Sequence, residues 1–202
     1  MTAPAVVALL LAASMPGSSA GPDRPPGPSE WRRVASPADR ARLRGWRSAW
    51  MEALAQVRGQ DGGAIAADPV LFDPDRALEE PVLPPGRYRC RTVKLGRKAA
   101  GGLGYGAYPW FRCMVGPGAV PGFAKVDGSQ RQVGKIYPDT DARAVFLGTL
   151  SLGDERGAIR YRRDPQRDVA GWVERIGERR WRIAFPYPAY ESTLDLMELV
   201  PG

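Results

Sequence analysis

The 202-residue chain has no histidine and only two cysteines. The first absence removes Ser-His-Asp and Cys-His nucleophile systems and every metal site that needs an imidazole. The second leaves too few thiolates for a structural metal, and Cys90 and Cys113 lack the Cys-x-x-Cys spacing of a redox centre. Neither a metal nor a cofactor is implied. Lysine is scarce too, since 25 of the 29 basic residues are arginine. The longest apolar run, Ala5–Ala13, falls short of the roughly 20 residues that cross a bilayer, so no stable membrane span is expected. With 44% hydrophobic and 25% charged residues the composition is that of a globular domain.

Ala5–Ala13 is followed by Pro16 and the small residues Ser18 and Ala20, the pattern of a signal peptide over 1–20 cut after Ala20. Residues 21–35 open with GPDRPPGPS and are expected to be a Pro/Gly-rich linker, leaving 36–202 as a single domain. Such an address places the mature protein in the periplasm or outside the cell, where Cys90 and Cys113 pair by default. Closing that loop is worth about 3 kcal/mol. Ser36 as N-cap, Pro37 and Asp39 open a helix over 36–59, with Leu43, Trp46, Trp50, Leu54 and Val57 as one apolar stripe and Gly59 at its end. Residues 65–85 look irregular, with at most a short helical turn at 74–78.

From Gly86 the period changes to two. Strands are expected near 87–95, 108–115, 122–126, 131–137, 143–152, 158–163, 169–176, 180–185 and 193–199. The predicted fold is mainly β: a small antiparallel up-and-down barrel of eight or nine strands over 86–200, lipocalin- or calycin-like, with one N-terminal helix packed outside. A two-sheet sandwich is the alternative. A disulfide would make the face of Tyr88, Cys90 and Thr92 and the face of Phe111, Cys113 and Val115 a common inner side, with Arg87, Arg89, Arg91 and Arg112 outward. The same alternation puts Ile159 and Tyr161, and Trp181, Ile183 and Phe185, inside. Val145 and Leu147 lie opposite Phe146 and Leu150, so that strand is covered on both faces, and the Trp46/Trp50 helix is its natural cover.

Residues 87–135 hold ten basic groups and one acid, Asp127, whereas 61–86 hold six acids and one arginine. A basic sheet face concentrates anions; outside the cytoplasm these are an anionic envelope polymer, lipid headgroups or an acidic protein. A solvated arginine face is the plainer alternative. Nucleic acid is not expected, because no aromatic–basic stacking pattern appears. Gly102-Leu-Gly-Tyr-Gly-Ala107 fits G-x-G-x-x-A, but a strand follows where a dinucleotide site needs a helix, so it reads as a hairpin loop. The turn at Gly128 lets Ser129, Gln130 and Arg131 project as a polar loop, and with Arg89, Arg91 and Arg112 these are the candidate binding residues. Asp154, Glu155, Glu174 and Glu191 are the carboxylates available for hydrolysis, yet no pair stands out and no catalytic residue is assigned.

The segments DRARLRGWRSAW (39–50), PPGRYRCRTVKLG (84–96), GSQRQVGKIYPD (128–139) and VFLGTLSLGDE (145–155) resemble a bacterial exported family catalogued as domain of unknown function 4893, as do AGWVERIGERRWRIAFP and ESTLDLMELVP. That resemblance implies no activity and no site residues. In architecture alone, with the Tyr-x-Cys opening at Tyr88 and Cys90, the chain is similar to small exported barrel inhibitors of metalloproteases or lysozymes. The expected function is a non-catalytic, monomeric binding module for an anionic envelope component. The alternatives are an inhibitor of an envelope hydrolase, a small-ligand carrier if the barrel is hollow, and a carboxylate-based hydrolase.

Overall fold

The computed structural model describes residues 30–58, 62–98 and 104–202. The expected signal peptide 1–20, residues 21–29 of the expected linker, Gly59 and Gly102–Leu103 lie outside them. The nine strands are β1 (Gly86–Arg97), β2 (Tyr105–Ala107), β3 (Phe111–Val115), β4 (Gly122–Lys125), β5 (Gln130–Pro138), β6 (Ala144–Leu152), β7 (Asp168–Gly177), β8 (Arg180–Pro186) and β9 (Ser192–Pro201). They run in the order β2-β1-β3-β4-β5-β6-β7-β8-β9. An antiparallel ladder from Tyr88↔Pro201 to Arg97↔Ser192 joins β1 to β9 and closes an eight-stranded barrel. β2 is an extra ribbon on β1, paired at Val93–Leu95 beyond the Gly86–Cys90 ladder to β3. Closure removes the exposed edges an open meander would carry.

The barrel is filled through its middle and one end. Phe123, Phe146 and Phe185 meet edge to face, with centroids 5.6 and 5.7 Å apart. The Cys90–Cys113 disulfide ties β1 to β3, and Tyr88 meets Trp181 edge to face. Room for the Phe146 ring comes from glycine: Gly134 and Gly148 face each other across β5 and β6. A Cβ on Gly134 would lie 2.6 Å from the Gly148 Cα and 2.8 Å from Phe146 Cζ. Backbone cannot swing aside as a side chain can. Gly134→Ala is therefore expected to lower stability by about 2–3 kcal/mol, read as a lower urea midpoint at unchanged m-value.

Outside the barrel, α1 (Glu30–Val34), α2 (Pro37–Arg44), α3 (Trp46–Arg58), α4 (Gly62–Ala67) and α5 (Pro69–Phe72) cover part of the wall. Ser36 caps α2, accepting from the Asp39 N–H, with Pro37 in the first turn. The single helix expected over 36–59 is two: Gly45 separates α2 from α3, and a Cβ there would meet the Tyr187 ring at 3.2 Å. Trp50, Leu54 and Val57 pack on Val93, Leu95, Ile176, Leu194 and Leu196, so α3 covers β1 and β9. The doubly apolar β6 is covered by the first turns of the expected helix rather than by its tryptophans: Val145 and Leu147 pack against Leu43 of α2 and Trp31 of α1. Residues 30–34, placed by composition in the linker, are the helix that delivers Trp31, whose indole donates to Asp139 Oδ1 at 2.7 Å.

Three further expectations are corrected. The segment 158–163 is a turn rather than a strand. Its Arg162 has φ 68°, and Tyr161, expected inside the barrel, instead accepts from the Ser36 N–H and donates to Asp39 on α2. Alternating Ile159 and Tyr161 thus serve a loop pinned by one phenol. The expected strand 108–115 begins only at Phe111, as β3, because Pro109 cannot donate to a ladder, and β2 at Tyr105–Ala107 is a short strand where a hairpin loop was expected. The stretch 65–85, expected to be irregular, opens with the end of α4 and with α5; Asp68 caps α5 by accepting from the Leu71 N–H.

Candidate ligand site at the barrel mouth

At the end of the barrel opposite Tyr88 and Trp181, the inward positions keep their period but turn polar. Thr92 and Lys94 follow Cys90 on β1, Lys125 follows Phe123 on β4, and Gln130 and Gln132 precede Gly134 on β5. With Tyr108, Phe111, Ser129 and Glu191 these side chains line a cavity of about 180 Å³. Gly128, at φ 89°, turns the chain between β4 and β5. A Cβ there would stand 3.1 Å from the Phe111 ring and 3.4 Å from Lys125 Nζ, so the turn is packed directly on both.

The two lysines have different surroundings. Lys94 Nζ donates to Glu191 Oε2 at 2.6 Å and to Gln130 Oε1 at 3.2 Å, and stands 3.8 Å from Asp195 Oδ2. Burial works to lower its pKa, but Asp195 and Glu191 outweigh burial and raise it. Burial pushes the Asp195 carboxyl up to about 6 against the opposing pull of Lys94 and the Ser192 hydroxyl. Lys125 is 6% exposed. Its Nζ donates to the Gln130 carbonyl at 3.1 Å and lies 4.0 Å from the Phe111 ring centroid. Among the described residues no carboxylate stands within 4.0 Å of it. Burial pushes Lys125 down to about 8; Asp127 opposes this, while Lys94 and Arg131 add to it. Gln132 is just as buried, and its Oε1 has no hydrogen-bond partner. A buried polar atom left unpaired costs about 1–3 kcal/mol, and native proteins hold few. The mouth thus holds an ammonium short of acceptors beside an amide short of a partner.

Of the residues singled out from sequence, Ser129 and Gln130 reach this cavity. Arg131 braces the hairpin instead, donating to the carbonyls of Gly128, Gly153 and Glu155 and to the Ser151 hydroxyl. Arg89 and Arg91 lie over the Trp110 ring at 5.2 and 5.0 Å, and Arg91 also pairs with Glu198 at 2.5 Å. Arg112 pairs with Asp127 at 2.8 Å. Three of the carboxylates weighed for hydrolysis are each held by basic partners: Glu174 binds Arg143 and Arg182, Glu155 binds Arg167, and Glu191 binds Lys94. Thr92, Lys94, Lys125 and Gln132 were the residues missed. The signal for them was available, because each continues the inner parity of its strand with a polar group at the same end of the wall.

A wider cleft of about 400 Å³ lies at the other end, among Pro84, Arg87, Tyr88, Arg175, Arg179 and Trp181. Trp181 Nε1 is buried there without an acceptor, but the basic lining is answered by Glu80 and Glu178, with Arg175 3.9 Å from Glu80. Among the described residues the mouth alone sets a buried cation with no ion pair against an unpaired amide. Among the described residues no group of three or more Cys, Asp or Glu side chains is placed to hold a metal ion, and no helix is long and apolar enough to cross a membrane. No curated protein and no solved structure matches the chain. A family model does match, over residues 31–199, and the chain belongs to that family, described as domain of unknown function (DUF4893).

Proposed function

We propose that the protein is a ligand-binding barrel whose mouth takes a small molecule bearing an acidic group beside a hydroxyl or amino group. The observation that carries this reading is the placement of Lys125 and Gln132, both buried and both short of partners, on one cavity. The N–H groups that Lys125 does not spend on Gln130 are free for charge-assisted bonds to a carboxylate or phosphate. Gln132 then meets the neighbouring polar group of the same ligand. At about 180 Å³ the cavity is smaller than the roughly 300–1,000 Å³ of drug-sized sites, which favours a small metabolite. The phenylalanines below it leave no lumen for a long chain.

Titration with lactate, glycerate and inorganic phosphate, followed by amide chemical shifts, is expected to move Thr92, Lys125, Gln130 and Gln132 saturably with at least one of them. Gln132→Leu should weaken that binding at least tenfold while the fold stays intact, because it removes an unsatisfied amide. No shift with any of the three, or shifts confined to the outer arginines, would remove this reading.

A second reading keeps the anionic envelope component as partner, and one observation favours it. On the outer wall Arg87, Arg89, Arg112, Met114 and Val126 border a cleft of about 480 Å³, with Met114 and Val126 exposed. It predicts salt-sensitive retention on an anionic polymer that is lost in Arg89→Ala/Arg112→Ala and unaffected by Gln132→Leu.

A further inference from the structure

We infer that Lys125 is a nucleophilic amine that captures small carbonyl acids, the 2-oxo acids, as an imine within the mouth. This rests on the mouth being a ligand site and names the ligand class. The geometry separates Lys125 from the other amine in the cavity. Lys94 is held as an ammonium between Glu191 at 2.6 Å and Asp195 at 3.8 Å, so its lone pair is committed to a proton. Lys125 has one carbonyl acceptor, an aromatic ring and no carboxylate in reach among the described residues. A desolvated lysine beside a second cation is the arrangement that frees an amine for addition to carbonyls. The charged and titratable groups around it are Lys94 on β1, Asp127 in the β4–β5 turn and Arg131 on β5, with Tyr108 and Glu191 also lining the cavity. Their balance leaves burial dominant and sets its titration near 8, so a useful fraction is neutral in mildly alkaline solution.

The step is a condensation without oxidation or reduction. The Nζ lone pair adds to the ketone or aldehyde carbon, and the carbonyl oxygen takes up a proton. Nitrogen releases one proton to give the neutral carbinolamine, whose hydroxyl takes a second proton from solvent and leaves as water while the nitrogen lone pair forms the C=N bond. Loss of the remaining N–H proton to solvent gives the imine, so the two N–H protons balance the two carried off in water. Lys94, already paired with Glu191 and Asp195, supplies a neighbouring positive charge, and Gln132 and Thr92 line the space the carbonyl enters.

The test is reductive trapping of the full chain with glyoxylate and cyanoborohydride, mapped by peptide mass. Lys125 is expected to be alkylated at least tenfold faster than the exposed Lys135, with a rate that rises through a midpoint near pH 8 and is suppressed by lactate. Pyruvate should bind the wild type at least tenfold more tightly than lactate does, and no more tightly than lactate in Lys125→Arg. Labelling of Lys125 no faster than Lys135, or of Lys94 first, overturns the inference; if lactate still binds, the ligand-site reading survives alone. If pyruvate and glyoxylate leave the mouth untouched and lactate, glycerate and phosphate do so too, both fall together.

Discussion

Glu174→Gln is expected to lower the unfolding free energy by about 3–5 kcal/mol and the melting temperature by about 10 °C or more. Glu174 and Arg182 are fully buried between the barrel wall and the helices. One carboxylate serves two guanidinium groups, Arg182 at 2.7 Å and Arg143 at 2.7 Å. Neutralising it leaves Arg182 charged, sealed from water and flanked by the Trp50 ring. Replacing both partners by apolar residues often costs nothing, but here it should not restore wild-type stability. Arg182 also donates to the carbonyls of Leu71 and Arg76, which close α5 and the turn after it. Glu174→Leu/Arg182→Met should therefore recover part of the loss and leave the 69–76 segment with faster amide exchange. Equal stability of the double variant and the wild type would show that those carbonyl bonds contribute nothing.

The same pair shows where sequence reasoning reaches and where it stops. Alternation alone puts Glu174 on one strand face with Trp172 and Ile176, but that its partners are Arg182 and Arg143 is visible only in the fold. Inner and outer faces of β1 and β3 were legible because the disulfide fixes which side of each strand meets the other. The short helices α4 and α5 were not legible. Helices of six and four residues are unstable alone, and they hold through contacts that appear only after folding, such as Arg182 on Leu71 and Trp50 on the Phe72 carbonyl. At Gly45, where α2 ends, a side chain would meet the ring of Tyr187, a neighbour far along the chain that no local pattern reveals. Tyr161 misled because a phenol pinned in a loop alternates with arginines just as a strand residue would. The site was half visible. Gln130 and Ser129 stood out as turn residues, whereas Lys125 was counted among ten basic groups; a charge tally discards the parity that puts Phe123 and Lys125 on one inward face.

Lys125→Met is expected to raise stability at pH 7 by about 3 kcal/mol. The ordinary lysine value is 10.5 and burial brings the folded one to about 8, and each unit of difference is worth about 1.4 kcal/mol. The sign follows from linkage. A folded-state pKa below the unfolded one means stability is greatest above about 10.5, where the amine is neutral in both states, and is lost as pH falls through about 8. At pH 7 the wild type carries the whole penalty and the methionine variant carries none. Asp195 acts in a separate window: raised to about 6 from 3.8, it favours the fold most in acid and loses that contribution as pH rises through about 6. A lysine kept where methionine is more stable is a group retained for a ligand, and the variant should bind neither lactate nor pyruvate.

Denaturant unfolding of wild type and Lys125→Met at pH 7 and again at pH 10.5, without added ligand, reads this directly. The variant should be more stable by about 3 kcal/mol at pH 7, with the gap closing toward zero at pH 10.5. A variant that is less stable than the wild type at pH 7, with a gap that does not change with pH, would mean that Lys125 is a satisfied structural cation and that the barrel mouth is not a ligand site.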